Sequence, residues 1–361
     1  ASNEEGIFTL RTVPDTLKID QYIKEKHPKT AVVVGGGFIG VEMAENLTER
    51  GLEVTIVEFA PHIVASIDLE MANILHRHLA QNGVSIRLNT GVSSLEKIEN
   101  EFHLKLTDQS TINTDLVIMS VGVVPESELA KKAGLTLGIR NSINVDEYLT
   151  TSDPDILAVG DAINIKNFIT GLEGSIPLAG PANRQGRNVA KIILGEKVVS
   201  NKTMGSSVLK VFDLTAASTG MSEEQLLQAK IPYYKTYVHP NSHASYYPGA
   251  MPLQMKMLFQ EDGKILGAQA VGYEGVEKRI DVIASSIYFG GTVYDLQNLE
   301  LCYAPPYSSA KDPVNMLGFT ASNILTNVVK VFYAENVALL DLSKVQLVNV
   351  NTDEEAIMAN I

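Results

Sequence analysis

The sequence predicts an α/β architecture: a parallel-sheet domain first, a separate α+β domain after it. Three observations carry that expectation. Ala31-Val32-Val33-Val34 is a continuous apolar run, as a strand buried on both faces requires. The glycine-rich turn Gly35 to Gly40 follows at once and opens a helical stretch from Phe38 to about Arg50. Beyond residue 206, tyrosines, glycines and alternating strand-like segments become frequent, the signature of a second domain.

Composition bounds the rest. The 361 residues suffice for two or three domains, at the usual ~150 residues each. With 45% hydrophobic residues a sizeable core is available. The net charge of −13 argues against a basic nucleic-acid grip and against adhesion to anionic membranes. The lone cysteine, Cys302, excludes a disulfide framework or a multi-cysteine metal site within the chain and points to the cytoplasm. As a single cysteine it is expected to be a small buried residue. No apolar run approaches the ~18 residues of a membrane span.

In chain order, Ile7 to Leu10 is expected as a strand and Asp15 to Lys26 as a helix. These pieces form no complete first unit, so the chain is expected to begin inside a larger protein. Val54 to Val57 is the next strand, ended at Gly51 on one side and Glu58 on the other, completing a βαβ unit. Residues 68–82 form an amphipathic helix with Leu69, Ala72, Ile74, Leu75 and Leu79 apolar. Ser94 to Ile98 and Phe102 to Leu106 alternate as strands, and Asp115 to Val121 is a buried strand ending at Gly122. Ile156 to Val159 is a further buried strand before Gly160-Asp161, and a helix begins near Gly180. In the second domain, Leu209 to Phe212, Gln254 to Phe259 and Ala268 to Gly272 are strands, and Gly275 to Phe289 is a helix. Residues 324–345 are linker-like.

Gly35-Gly36-Gly37-Phe38-Ile39-Gly40 fits G-x-G-x-x-G between a strand and a helix. In that context Gly35 makes the tight turn, Gly37 lets backbone approach a pyrophosphate, and Gly40 permits close packing. The amides at the helix start, including those of Phe38 and Ile39, then face the phosphates. Glu58 follows at about the ~20-residue spacing of the ribose-binding acid. Its carboxylate can accept from both ribose hydroxyls and would repel a 2′-phosphate, so NADH is favoured over NADPH. Glu42, on the first helical turn, either faces the nicotinamide end or simply complements the helix dipole.

Thr150-Thr151-Ser152-Asp153-Pro154-Asp155-Ile156-Leu157-Ala158-Val159-Gly160-Asp161 resembles the second flavin-contacting signature of the class I pyridine nucleotide-disulfide oxidoreductases, and Pro177-Leu178-Ala179-Gly180-Pro181-Ala182 matches as well. The resemblance implies that Asp161 bonds the ribitol of FAD and that Leu178 and Ala179 open a helix at the flavin's pyrimidine edge. Leu301-Cys302-Tyr303-Ala304-Pro305-Pro306-Tyr307 resembles the dimer-interface signature of coenzyme A-disulfide reductases, NADH oxidases and NADH peroxidases. His243-Ala244-Ser245-Tyr246-Tyr247-Pro248-Gly249-Ala250 is similar to the coenzyme A-disulfide and persulfide reductase branch. There, interface tyrosines reach the partner subunit's active site. Tyr303 matches one, and either Tyr246 or Tyr247 the other. Buried tyrosines can equally serve packing.

The resemblance thus implies an NAD-binding domain of Rossmann type (residues 29–140) inserted into an FAD-binding domain (1–28 and 141–205), then a dimerisation domain (206–323) and a linker (324–361). The last segment, from Val345, resembles the start of a rhodanese domain. The family's first flavin fingerprint and redox cysteine match nothing in this sequence. The implied activity is NADH-driven, FAD-dependent reduction of coenzyme A disulfide, a persulfide or a related sulfur substrate by a homodimer, with coenzyme A a candidate ligand. The alternatives are an NADH oxidase or peroxidase, and a non-catalytic NAD-binding dimer. Gly122 is placed with the nucleotide-binding residues. His76 and His78 share no helical face, and His239 and His243 flank a turn, so no metal is expected.

Overall fold

The structure, a computed structural model, describes residues 4–346 and Val348. Contacts divide the chain into two compact units, Ala1–Ser322 and Asn323–Ile361.

The first unit opens with β1 (Ile7–Phe8), α1 (Val13–Lys26), β2 (Thr30–Val34), α2 (Phe38–Glu49), β3 (Glu53–Val57), α3 (Leu69–Gln81) and β4 (Ser85–Arg87). A meander follows, β5 (Val92–Ile98), β6 (Glu101–Leu106) and β7 (Thr111–Thr114), before β8 (Leu116–Met119). The main sheet has the order β1-β8-β2-β3-β4 and is parallel throughout. Its side chains sort by the two-residue period of a strand. Ala31, Val33, Val54, Ile56, Leu116 and Ile118 pack against Val41, Ala44 and Leu47 of α2 and Met71, Ala72, Leu75 and Leu79 of α3. Val32, Val34, Val57 and Val117 face Phe102, Leu104 and Leu106 of the meander. Both faces are covered, which is why these strands read as unbroken apolar runs. Asp115 aligns the central strands: its Oδ2 accepts from the Lys29 and Thr30 amides at 2.8 and 3.0 Å and from Thr30 Oγ1 at 3.1 Å.

Several details differ from the sequence expectation. The strand expected over Asp115–Val121 spans only Leu116–Met119, where it pairs with β2, and that expected over Ala268–Gly272 begins at Ile265. β1 stops at Phe8, because it pairs only with Val117 and Ile118 of the short β8. Leu69 is exposed at the start of α3, and Met71 takes its place in the core. Ile156–Val159 is not a strand: only Leu157 bridges, to Thr150 across a tight turn, and no partner strand flanks the segment among the described residues. Asp161 accordingly sits in a 3-10 turn, Gly160–Ala162.

The chain continues through α4 (Glu128–Lys132), β9 (Ile165–Asn167), β10 (Glu173–Gly174), α5 (Ala179–Ile193) and β11 (Lys202–Thr203). The following part of the unit comprises β12 (Ser207–Val211), β13 (Leu214–Gly220), α6 (Glu223–Gln228), β14 (Tyr234–Val238), β15 (Leu253–Phe259), β16 (Ile265–Gly272), α7 (Val276–Tyr288), α8 (Val293–Leu296) and α9 (Pro313–Leu325). Its sheet, β12-β13-β16-β15-β14, is antiparallel, and α7 lies across β13 and β16. Leu209, Val211, Leu214, Ala216 and Val271 join the same apolar cluster as α2 and α3, so one core runs through both sheets.

A charged knot fastens that seam. Lys256 is fully buried in β15, with Nζ 2.7 Å from Asp68 Oδ2, 2.5 Å from Glu70 Oε1 and hydrogen-bonded to Glu223. Gln269 of β16 donates to Asp68 Oδ2 at 2.6 Å, and Glu223 also receives Tyr233 and Lys235. Burial pushes the Glu223 carboxyl up, but hydrogen bonds from Lys256 and Tyr233 outweigh it and hold the group below the usual glutamate range. Burial likewise works against the Lys256 ammonium, and Asp68 above all keeps its pKa raised.

In the second unit, α9 closes at Leu325 and a 3-10 turn spans Ala334–Leu339. Val345, Gln346 and Val348 have no regular structure, and the rest of the rhodanese-like segment lies outside the described residues. No described helix is long and apolar enough to cross a membrane.

Candidate functional site

The glycine turn is built by close backbone approach. Gly35 has φ +108°, and a Cβ there would stand 2.4 Å from the Ser120 carbonyl oxygen. At Gly40 a Cβ would stand 1.9 Å from the Gly35 carbonyl oxygen, so α2 can begin this near the turn only with glycine. Ser120, at the end of β8, ties the turn down: its Oγ donates to the Val34 and Gly35 carbonyls at 2.9 and 3.0 Å. Gly37 meets nothing within 4 Å of an added Cβ, which leaves open space in front of the helix. No side chain caps α2, so its first-turn amides, Phe38 and Ile39 among them, are available to an anion.

Glu58 follows β3 beside this turn. Its Oε2 accepts from the Gly36 amide at 2.5 Å and Oε1 from the Ala60 amide at 2.7 Å. Each oxygen retains a second lone pair for an incoming hydroxyl. The loop that follows is locked from behind. Val64 N donates to the Gly36 carbonyl at 2.8 Å, and Ile63 N donates to His76 Nε2 at 3.2 Å, which requires the tautomer carrying its proton on Nδ1, toward Asn73. Burial lowers the His76 pKa and favours the neutral ring this contact needs. Glu42 falls one residue past the first turn of α2, which holds no acidic residue, because the helix begins at Phe38; it is exposed, and partial desolvation, then Glu45, pushes its carboxyl up. Gly122 lies just past Ser120 in an exposed stretch with Val121, Val123 and Val124.

A second cluster forms where the 3-10 turn meets α5. Asp161 and Leu178 line one crevice with Gly160, Ile163, Ile165, Ser175, Ile176, Pro181, Ala182 and Gln185. Buried Gln185 accepts from the Gly160 amide at 2.8 Å, which fixes the turn against the helix. α5 begins at Ala179 with no side-chain cap on its amides. Asp161 is exposed. An exposed carboxylate beside uncapped helix amides suits a polyhydroxylated chain on one side and a developing negative charge on the other.

The third cluster is aromatic. Tyr246 and Tyr303, 73% and 48% exposed, meet hydroxyl to hydroxyl at 2.8 Å. The hydrogen bond shared with Tyr303 favours the protonated phenol and raises the Tyr246 pKa. Tyr247 turns away and packs edge-on against His243 at 5.8 Å. Cys302 is exposed, contrary to the expectation of burial, because residues 301–304 join no sheet and run along the surface. His78 pairs with Asp213 at 2.6 Å, while His76 serves the loop above, so the two point to different partners. The carboxylates of Asp68, Glu70 and Glu223 approach one another as metal ligands would, but the Lys256 ammonium holds all three.

Sequence reasoning missed the parts played by Ser120 and His76 around the glycine turn and by Lys256 at the seam. Only Lys256 left a trace, as a lysine inside the apolar strand Leu253–Phe259.

Residues 1–186 match the pyridine nucleotide-disulphide oxidoreductase family, and residues 206–313 match that family's dimerisation domain. The chain belongs to this family. Among solved members, the reduced CoADR-RHD of Bacillus anthracis is 51% identical over 94% of this chain, with a TM-score of 0.91. The NAD-dependent persulfide reductase of A. fulgidus is 35% identical over 91%, with a TM-score of 0.87. This chain spans 61% of each of those two chains. Among curated members, an NADH oxidase of Methanocaldococcus jannaschii is 37% identical over 90% of this chain and 72% of its own length. A coenzyme A disulfide reductase of Staphylococcus epidermidis is 34% identical over 87% and 71%.

Proposed function

We propose that this chain supplies the NADH-binding, part of the FAD-binding and the dimer-forming portions of a reductase acting on coenzyme A disulfide, a persulfide or a related sulfur substrate. The observation that carries this reading is the exposed Tyr246–Tyr303 hydroxyl pair. The net reaction on a disulfide consumes NADH and a proton, breaks the S–S bond and yields two thiols and NAD. When bound, FAD supplies the two-electron relay between nicotinamide and sulfur. The chain's own residues do the rest. Gly35, Gly37 and Gly40 admit the pyrophosphate to the α2 amides. Glu58 accepts the ribose hydroxyls and disfavours NADPH by charge. Phe38, Ile39, Glu42 and Gly122 border the same nucleotide. Asp161, Leu178 and Ala179 hold part of FAD. Tyr246, protonated and oriented by Tyr303, delivers a proton to the departing sulfur. Tyr247 flanks them.

We assign residues 29–140 to nucleotide binding, 1–28 and 141–205 to the flavin domain, and 206–323 to a homodimer interface that places the phenols at the partner's substrate, in a cytoplasmic protein. The Methanocaldococcus jannaschii NADH oxidase supports a second reading, with oxygen as acceptor. Thiol release from coenzyme A disulfide and oxygen consumption, each driven by NADH, separate the two. Tyr246→Phe is expected to lower kcat for thiol release roughly 100-fold, the low end of general-acid catalysis. Unchanged thiol release, or oxygen consumption as the faster reaction in the wild type, overturns the sulfur reading.

A further inference from the structure

The two segments that carry the exposed phenols meet at a buried polar node. Arg279 of α7 is 1% exposed, and Ser242, Ser308 and Asp312 around it are buried as well. One nitrogen, Nη2, donates to the Ser242 carbonyl at 2.8 Å and reaches Ser308 Oγ and Asp312 Oδ2, each at 3.3 Å. Nη1 donates to the Gly275 carbonyl at 3.0 Å, and Ser308 Oγ donates to Asp312 Oδ2 at 2.6 Å. The guanidinium therefore joins two segments far apart in sequence, each bearing one of the phenols.

Each segment is tied to its anchor. Ser242 N donates to the Met251 carbonyl at 2.7 Å and Met251 N to Ser242 Oγ at 3.2 Å, closing the base of the loop that carries Tyr246. Ala244 N donates to the Ser308 carbonyl at 3.1 Å, stitching that loop to the Tyr303 segment. Ser308 N donates to the Ala304 carbonyl at 3.2 Å, next to Tyr303. Asp312 is fixed in turn: its Oδ1 accepts from the Val314 amide at 2.9 Å as α9 begins.

We propose that Arg279 is a positioning residue that sets the Tyr246–Tyr303 contact by clamping together the two segments that carry them. The proposal rests on the reading that these phenols serve the sulfur substrate. A planar fork with several donors suits this node, and a lysine ammonium would lose part of it. The buried charge has Asp312 as its counter-ion, so the clamp is stiff rather than adaptable.

The test uses the FAD-loaded full-length protein carrying Arg279→Met, Arg279→Lys or the milder Asp312→Asn, which keeps the helix-capping oxygen. Bleaching of the flavin by NADH should stay within about twofold of wild type, the scatter of independent sites. The kcat for thiol release should fall at least about tenfold in Arg279→Met, as a displaced reacting group does, and recover in part in Arg279→Lys. In a Tyr246→Phe/Tyr303→Phe background, Arg279→Met should add no more than about twofold. Ring-labelled tyrosine NMR gives a readout without substrate: the Tyr246 and Tyr303 resonances, assigned with the Phe variants, should shift in Arg279→Met and Asp312→Asn. Unshifted resonances, or a full tenfold loss retained in the double-Phe background, overturn the proposal. Full thiol release by the Phe variants overturns the functional reading instead, and the resonances alone then decide the positioning.

Discussion

Glu58 is a carboxylate with a structural role that the proposed function also makes selective. Its two oxygens already hold the Gly36 and Ala60 amides, so on the proposed reading the group would meet a ribose without any rearrangement. Glu58→Ala is expected to weaken NADH binding roughly 10- to 100-fold, the ~1.5–3 kcal/mol of a charged hydrogen bond, and to narrow the preference over NADPH; titration with both nucleotides measures it. Gly40→Ala places a methyl 1.9 Å from the Gly35 carbonyl. It should cost about 1–3 kcal/mol, as overpacking does, lower Tm in a thermal melt and abolish nucleotide binding. These residues were legible because a turn, a helix start and an acid at fixed spacing are local in sequence. Arg279 was not, since its partners at 242, 308 and 312 become neighbours only once the chain has folded.

At the level of elements, β2 and β3 were read to within a residue, because burial on both sides writes an unbroken apolar run, whereas β8 and β16 differ from the expected ranges by about three residues each. Ile156–Val159 carries such a run too, yet forms a single bridge: an apolar stretch becomes a strand only where another strand lies alongside, and composition cannot report that neighbour. Alignment between strands is likewise invisible in sequence. Asp115 sets it here, and Asp115→Ala should cost ~1.5–3 kcal/mol by orphaning the Lys29 and Thr30 amides, measurable by urea unfolding. Burial pushes the Asp115 carboxyl up, but the bonds from Thr30 and Lys29 prevail and keep it below the ordinary 3.8. Its contribution is therefore complete above that value and fades as pH falls through the lowered one.

Across the whole molecule, a continuous apolar core and one charged knot hold the two large sheets together. Lys256→Met leaves the buried Asp68 carboxylate without its cation, while Glu223 keeps Lys235; the cost is about 3–5 kcal/mol, and calorimetry should show the two parts melting separately. The depressed Glu70 and Glu223 groups add stability above roughly pH 4.3 that is lost as acid protonates them. The raised Lys256 adds stability below roughly pH 10.4 that is lost in alkali as pH passes its folded value. The knot also constrains how such proteins can recombine. Asp68 and Glu70 lie early in the chain, Glu223 and Lys256 late, so a chimera joining the first half of one homologue to the second half of another inherits a matched quartet only if both parents carry it. Swapped halves lacking one member would strand charge at the graft, and breeding or shuffling experiments should recover crossovers that keep all four positions together.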